Sequence, residues 1–193
     1  MIVFEDRKLV IVTPPHTASG NVHRACCGTL GARWAIGPTP DGAGFDHHVA
    51  RLSNDWLDYR VAVVVRHPVE RLVGLYEHHQ YLAKEAGWEP LAWWQFVAMV
   101  LERHRDLSWF YTSTICELIG PLKVDFVLRH EHLADDLRDF VGADVSLPAR
   151  EWERDWGPYL ATPVTCLLAE HWGEADMLRF GFASRFKEFT RAV

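Results

Sequence analysis

The sequence predicts one α/β domain of three layers, with a central, mostly parallel sheet flanked by helices. Two features predict it. Lys8–Thr13 and Tyr59–Arg66 hold unbroken aliphatic runs, "LVIV" and "VAVVV", and strands without apolar–polar alternation suit a parallel sheet covered on both faces. Each run is followed by a segment with helical signals, and strands alternating with helices build a sheet of that kind. The length of 193 residues fits one domain, 1–193. An apolar content of 49%, with nine Trp and ten Phe, is ample for one core.

The elements follow in order. Lys8–Thr13 is the first strand, and Asn21–Leu30 is a short helix stopped near Gly28 or Gly31. Arg33–Ile36, "RWAI", is a short second strand, and Gly37–Gly44, "GPTPDGAG", is a loop by its Gly and Pro content. Tyr59–Arg66 is the clearest strand and is expected to be central. Pro68 suits a first helical turn, after which Leu72, Leu75, Tyr76, His79, Leu82 and Ala83 keep helical spacing up to Gly87. Another helix runs from Pro90 to about His104, and Leu107–Ile119 is weakly helical. Lys123–Arg129, "KVDFVLR", is a strand leading into the helix Glu131–Gly142, Leu147–Tyr159 is irregular, and Thr162–Phe180 is a closing helix that starts at Pro163.

Composition excludes several functions. The net charge of −6, with acidic and basic residues intermixed, leaves no electrostatic footprint for a nucleic acid or a sulfated polymer. An anion, if bound, is gripped locally. No basic segment runs into an apolar stretch and a cleavage site, and no apolar run approaches the ~18 residues of a membrane span, so a soluble, cytoplasmic protein without membrane partners is expected. Cys26, Cys27, Cys116 and Cys166 lack C-x-x-C spacing and read as reduced structural thiols.

"TPPHTASGN", Thr13–Asn21, joins a buried strand to a helix start. The first helical N–H groups have no internal partner and the helix dipole favours negative charge there, so phosphate or sulfate fits. Thr17, Ala18, Ser19 and Gly20 let backbone come close, and two of them add hydroxyls. Taken alone, the segment reads equally as a β-to-α turn with a capping Ser or Thr. It is not a Walker A loop, because there is no G-x-x-x-x-G-K-[ST] and no lysine between Lys8 and Lys84. A kinase or GTPase is thereby disfavoured.

"VVVRHPVERLVGLY", Val63–Tyr76, ends the second buried run on Arg66. Ligands of open parallel sheets sit at the carboxyl ends of strands, which would bring Arg66 beside the Thr13 loop. A guanidinium there suits bidentate phosphate contact, whereas pairing with Glu70 is the structural alternative. Arg71 reads as structural.

These segments resemble the sulfotransferase family. "TPPHTASG" is similar to its 5′-phosphosulfate loop, commonly "PKT" followed by small and hydroxyl residues, and "VVVRHPVERLVGLY" to its 3′-phosphate segment, R-x-P-x-x-R-x-x-S-x-Y. "VDFVLRHEHLADDL", Val124–Leu137, resembles the strand and helix written D-x-V-x-R-x-E-x-L, and "HWGEADMLRFGF", His171–Phe182, resembles the closing helix that ends F-G-[YF]. The resemblance implies a P-loop-like nucleotide-binding fold and transfer of a sulfuryl group from 3′-phosphoadenosine 5′-phosphosulfate (PAPS) to an acceptor hydroxyl or amine, without a metal. It implies that Pro15, His16, Thr17, Ala18, Ser19, Gly20 and Asn21 cradle the phosphosulfate and that Arg66 holds the 3′-phosphate. Two positions depart from the pattern. His16 stands where the family has a lysine that places positive charge on the oxygen bridging phosphorus and sulfur. An imidazole with the usual value of ~6.5 is mostly neutral at pH 7, and a bound dianion would raise that value. Gly74 stands where a serine joins the arginine, and His78, one turn on, is the candidate substitute donor.

An acceptor hydroxyl loses a proton as it attacks. His47 and His48, after Asp46 as possible orienter, are the leading candidates for the base, with His23, His130 and His132 behind them. No Cys or His spacing suggests zinc. Trp152, Trp156 and Tyr159 are candidates for an acceptor or adenine pocket. The acceptor expected is a small molecule or carbohydrate, and the alternative function is a PAP- or PAPS-binding module on the same fold that has lost catalysis.

Overall fold

The computed structural model describes residues 1–35, 37–38, 45–46, 56, 58–104, 107, 109–147, 159 and 163–184. They form an α/β structure of two compact units, each built from two chain segments: Met1–Arg66 with Ile115–Trp152, and His67–Thr114 with Glu153–Val193.

The first unit holds a five-stranded sheet. Its strands are β1 (Ile2–Phe4), β2 (Leu9–Val12), β3 (Arg33–Trp34), β6 (Arg60–Val65) and β7 (Phe126–Arg129), in the order β3-β1-β2-β6-β7. β6 pairs in parallel with β2 on one side and β7 on the other, an interior position as expected. The sheet is mixed, however, rather than mostly parallel. β1 pairs antiparallel with both β2 and β3, because Glu5–Lys8 turns the chain straight back, with Lys8 at a left-handed φ of 51°. "MIVF" is too short and too close to the following run to read as a separate strand by pattern alone. The expected loop Gly37–Gly44 also begins in a strand: β4 (Gly37–Pro38) pairs antiparallel with β5 (Phe45–Asp46) in a separate two-stranded sheet.

Alternate strand residues build the core of this unit. Ile2 and Phe4, Leu9 and Ile11, Ala62 and Val64, and Leu128 pack on α1 (Ser19–Thr29) and on α6 (Leu133–Val141). Period-two geometry sends Val3, Val10, Val12, Val61, Val63 and Val65 to the opposite face, and they are buried too. That is why the runs lack alternation. Helix α6 presents Leu133, Leu137, Phe140 and Val141 to the core, keeps Asp135, Arg138 and Asp139 exposed, and ends at Gly142 with φ 69°. Arg7 Nη1 donates to the Val141 carbonyl at 2.8 Å and ties the first turn to that helix end. Between α5 (Ile115–Ile119) and β7, Asp125 Oδ2 accepts the Val61 N–H at 2.9 Å. That bond, with Lys123 in support, holds the Asp125 carboxyl below its usual value.

The second unit is helical. Helix α2 (Pro68–Ala86) packs against α3 (Trp93–Leu101) and α7 (Pro163–Trp172), and their shared core includes Val69, Leu72, Leu75, Phe96, Val100, Cys166 and Ala169. The weakly helical stretch divides into α4 (Trp109–Thr112) and α5, separated by Ser113 and Thr114. His67 caps α2: its Nδ1 accepts the Val69 N–H at 3.3 Å, which leaves Nε2 to donate to the Ala183 carbonyl at 3.0 Å. Arg71 is fully buried, donates to the Ser113 carbonyl at 2.9 Å, and lies 5.2 Å over the ring of Trp172. Its structural reading stands.

The expected closing helix breaks at Gly173 into α7 and α8 (Glu174–Phe180). A Cβ on Gly173 would lie 2.3 Å from Pro68 Cβ, so only glycine lets the start of α2 approach this joint. Among the described residues, no helix is long and apolar enough to cross a membrane.

Two predictions concern this unit. Gly173→Ala forces the Pro68 ring aside and is expected to cost about 1–3 kcal/mol, read as a lower midpoint in urea denaturation. His78 and His79 pack on Tyr111, and burial lowers both imidazole pKa values below 6.5. Because the unfolded chain takes up these protons first, their contribution to stability is present above pH 6.5 and is lost as pH falls through the lowered values. Urea midpoints at pH 7.5 and 5.5 are expected to differ, and the His78→Gln/His79→Gln variant to narrow the difference. An unchanged difference would remove these histidines as the cause.

Candidate functional site

The site lies within the first unit, where β2, β6 and β7 end. The register pairs Val12 with Val63 and Val65 with Arg129, so Thr13, Arg66 and His130 leave the sheet at the same edge. Thr13, Pro14 and Pro15 are buried, and Pro fixes φ without needing a backbone donor. Thr17 closes the turn on Pro14, whose carbonyl accepts from the Thr17 hydroxyl at 2.7 Å and from its N–H at 3.3 Å. His16 and Ala18 then take left-handed conformations, φ 60° and φ 70°. Each costs on the order of 1 kcal/mol in a residue with a Cβ.

The left-handed turn at Ala18 starts α1. The Ala18 carbonyl accepts from the N–H groups of Asn21 and Val22 at 3.0 and 3.1 Å. Neither Ser19 nor Gly20 donates its N–H to another group among the described residues, as a first helical turn requires. Alternating conformations of this kind bring successive N–H groups to one side, a shape that holds anions.

Arg66 is 8% exposed and reaches the loop directly, with Nη1 donating to the His16 carbonyl at 3.3 Å. A guanidinium has donors on three nitrogens, so this contact places fixed positive charge beside the loop. Arg66 stabilises the left-handed His16 backbone and supplies the charge that the loop's own sequence lacks.

Behind the loop, a cavity of about 350 Å³ opens between the start of α1 and the chain following β7. Ala18, Asn21, His130, Glu131, His132 and Leu147 are among the residues lining it. The chain passes through a single 3₁₀ turn at His130–His132 before α6 begins, and Arg129 N–H is anchored to Asp136 Oδ2 at 2.6 Å. Sequence reading treated His130 and His132 as secondary and did not single out Glu131. The signal available was the strand-end position of "RHEH", the same edge that marked the Thr13 loop.

The predicted residues therefore divide. Pro15, His16, Thr17, Ala18, Ser19, Gly20, Asn21 and Arg66 share one edge of the first unit. Gly74 lies in α2, buried in the second unit, and His78 on the same helix packs on Tyr111. Asp46 pairs with Gly37 in the small hairpin, while His47, His48, Trp152 and Trp156 lie outside the described residues. His23 packs on Trp34 with ring centroids 3.6 Å apart, and burial lowers its pKa. Tyr159 packs on Tyr76 and Trp93.

All four cysteines are free, and burial pushes the Cys26 thiol up to about 12 and raises that of Cys27. Neither is a thiolate nucleophile near neutral pH. Among the described residues, no three His, Cys, Asp or Glu side chains converge as metal ligands. The chain matches no family model, and no curated protein or solved structure matches it.

The loop geometry carries its own test. Ala18→Gly removes the left-handed strain, partly offset by the freer unfolded chain, and is expected to stabilise the protein by about 0.5–1 kcal/mol. Ala18→Val is expected to destabilise it. Thermal unfolding of the two variants reads both signs.

Proposed function

We propose that the chain is a sulfotransferase that takes PAPS as donor and passes its sulfuryl group to an acceptor hydroxyl or amine. One observation carries this reading: a strand-to-helix loop with left-handed His16 and Ala18, and Ser19 and Gly20 N–H groups uncommitted among the described residues, met by the guanidinium of Arg66. The sequence resemblance supplies the chemistry. Ser19, Gly20 and their neighbours would hold the 5′-phosphosulfate, and Arg66 would hold the 3′-phosphate.

In the transfer, the acceptor oxygen or nitrogen bonds to sulfur as the bond from sulfur to the bridging oxygen breaks. Negative charge gathers on the departing phosphate, where a protonated His16 would stabilise it. The acceptor's proton passes to a base. Because His16 must carry charge to act, turnover on this reading falls as pH rises and the imidazole loses its proton.

Calorimetry with 3′,5′-bisphosphoadenosine is the first test. Binding is expected, with adenosine 5′-phosphate at least tenfold weaker. Arg66→Lys is expected to weaken the bisphosphate by about tenfold or more, since an ammonium does not reproduce the guanidinium fork. No binding at millimolar nucleotide would sink the proposal. With radiolabelled PAPS, His16→Lys is expected to flatten the alkaline fall in turnover. Nucleotide binding without turnover of any acceptor would instead assign a binding module.

A further inference from the structure

The cavity behind the loop has features the donor does not need. Of its polar lining, Asn21, Glu131 and His132 make no side-chain hydrogen bond or ion pair among the described residues. Three such groups on one concave wall can pair with a ligand that carries several donors and acceptors of its own. Ala18, Leu133, Ala134 and Leu147 supply apolar surface between them. Ligand cavities run from roughly 300 to 1,000 Å³, and about 350 Å³ is room for one sugar-sized molecule.

Charge narrows the class. Among the described residues, Glu131 and Asp135 line the cavity and no Lys or Arg does. Asp135 is held by Arg138 at 2.8 Å, and among the described lining residues Glu131 is the carboxylate without an ion-pair partner. At Glu131 a phosphate or carboxylate would meet repulsion, and an ammonium would meet attraction. Ala18 and Asn21 belong to the donor loop and the first turn of α1, so a molecule in this cavity touches the structure proposed to hold the phosphosulfate.

We infer that this cavity is the acceptor subsite and takes an amino alcohol of about monosaccharide size, with Glu131 binding its ammonium group and His132 serving as the base. The inference rests on the proposed donor reading. In the step, the acceptor hydroxyl oxygen bonds to sulfur, its proton goes to the His132 imidazole, and 3′,5′-bisphosphoadenosine departs with the electrons of the broken sulfur–oxygen bond. His132 is a catalytic residue in this scheme. Glu131 and Asn21 bind and orient.

Titration of the isotopically labelled chain with glucosamine, glucose and glucuronate, without nucleotide, tests the site directly. Glucosamine is expected to shift the amide resonances of Asn21, Glu131 and His132 at millimolar concentration. Glucuronate is expected to leave them in place. Glu131→Gln is expected to weaken glucosamine at least fivefold while leaving calorimetric affinity for 3′,5′-bisphosphoadenosine unchanged. Both Glu131 and His132 are exposed, so these variants are expected to fold.

With glucosamine as acceptor, His132→Gln is expected to lower kcat by about 10²–10⁴-fold, to abolish the acid limb of the pH–rate profile and to leave KM nearly unchanged. Glucosamine shifts without nucleotide binding would overturn the donor reading, and with it the acceptor role, leaving only an amine site. Nucleotide binding with no glucosamine shift, or with glucuronate binding equally well, would overturn the acceptor subsite and leave the donor reading intact. An acid limb that persists in His132→Gln would remove His132 as the base.

Discussion

Parallel pairing of Leu9–Val12 with Arg60–Val65, and of the latter with Phe126–Arg129, sends three chain segments out of one edge of the sheet. Everything proposed for the first unit depends on that register. The side-chain period of a strand is two residues, so a slip of one would turn Ile11 and Val64 away from α1 and α6. Burial of Val10, Val61 and Val63 on one face and of Leu9, Ala62 and Leu128 on the other resists such a slip. A hydrophobic constraint in the sheet thereby becomes a positional constraint on Thr13, Arg66 and His130.

Strain in the loop is balanced locally. His16 and Ala18 carry left-handed backbones without being glycine, and fixed neighbours hold them. The Pro14 carbonyl takes both Thr17 donors, the Ala18 carbonyl takes two helical N–H groups, and Arg66 takes the His16 carbonyl. Each bond adds about 0.5–1.5 kcal/mol net, more where a charge takes part, enough together to hold two residues whose strain is on the order of 1 kcal/mol each. The result is a backbone held in place, with the Ser19 and Gly20 N–H groups uncommitted among the described residues. Arg66 serves both purposes, so the residue that shapes the loop also charges it.

The second unit shows how far local signals carry. His67-Pro68 signals a helix start, and the structure adds that the imidazole caps α2 and reaches Ala183 near the far end of the chain. Two of the segments that suggested a family, Val63–Tyr76 and His171–Phe182, meet through Pro68 against Gly173 and Arg71 over Trp172. Their residue types thus have a packing explanation that is independent of any ligand. Gly74 and His78 are the positions where a ligand role and a packing role compete, and the ring of His78 is already occupied by Tyr111.

By itself, the sequence determined the elements whose signals are local and strong. Unbroken aliphatic runs marked β2 and β6, Pro68 and Gly87 bounded α2, and helical spacing marked α3 and α6, because burial and backbone sterics act within a few residues. It also raised Thr13–Asn21 and Arg66 as candidates for holding an anion. What only the tertiary structure decided was pairing and proximity. The antiparallel β1, the break at Gly173, the left-handed His16 and Ala18, the Arg66 bond to the His16 carbonyl and the cavity joining Asn21 to Glu131 and His132 all arise between residues far apart in the chain or from conformations the residue types do not favour. Hydrogen bonds and close contacts across such separations leave no periodicity in the sequence. Their geometry is set by how strands and helices stack, which no short window of residues contains.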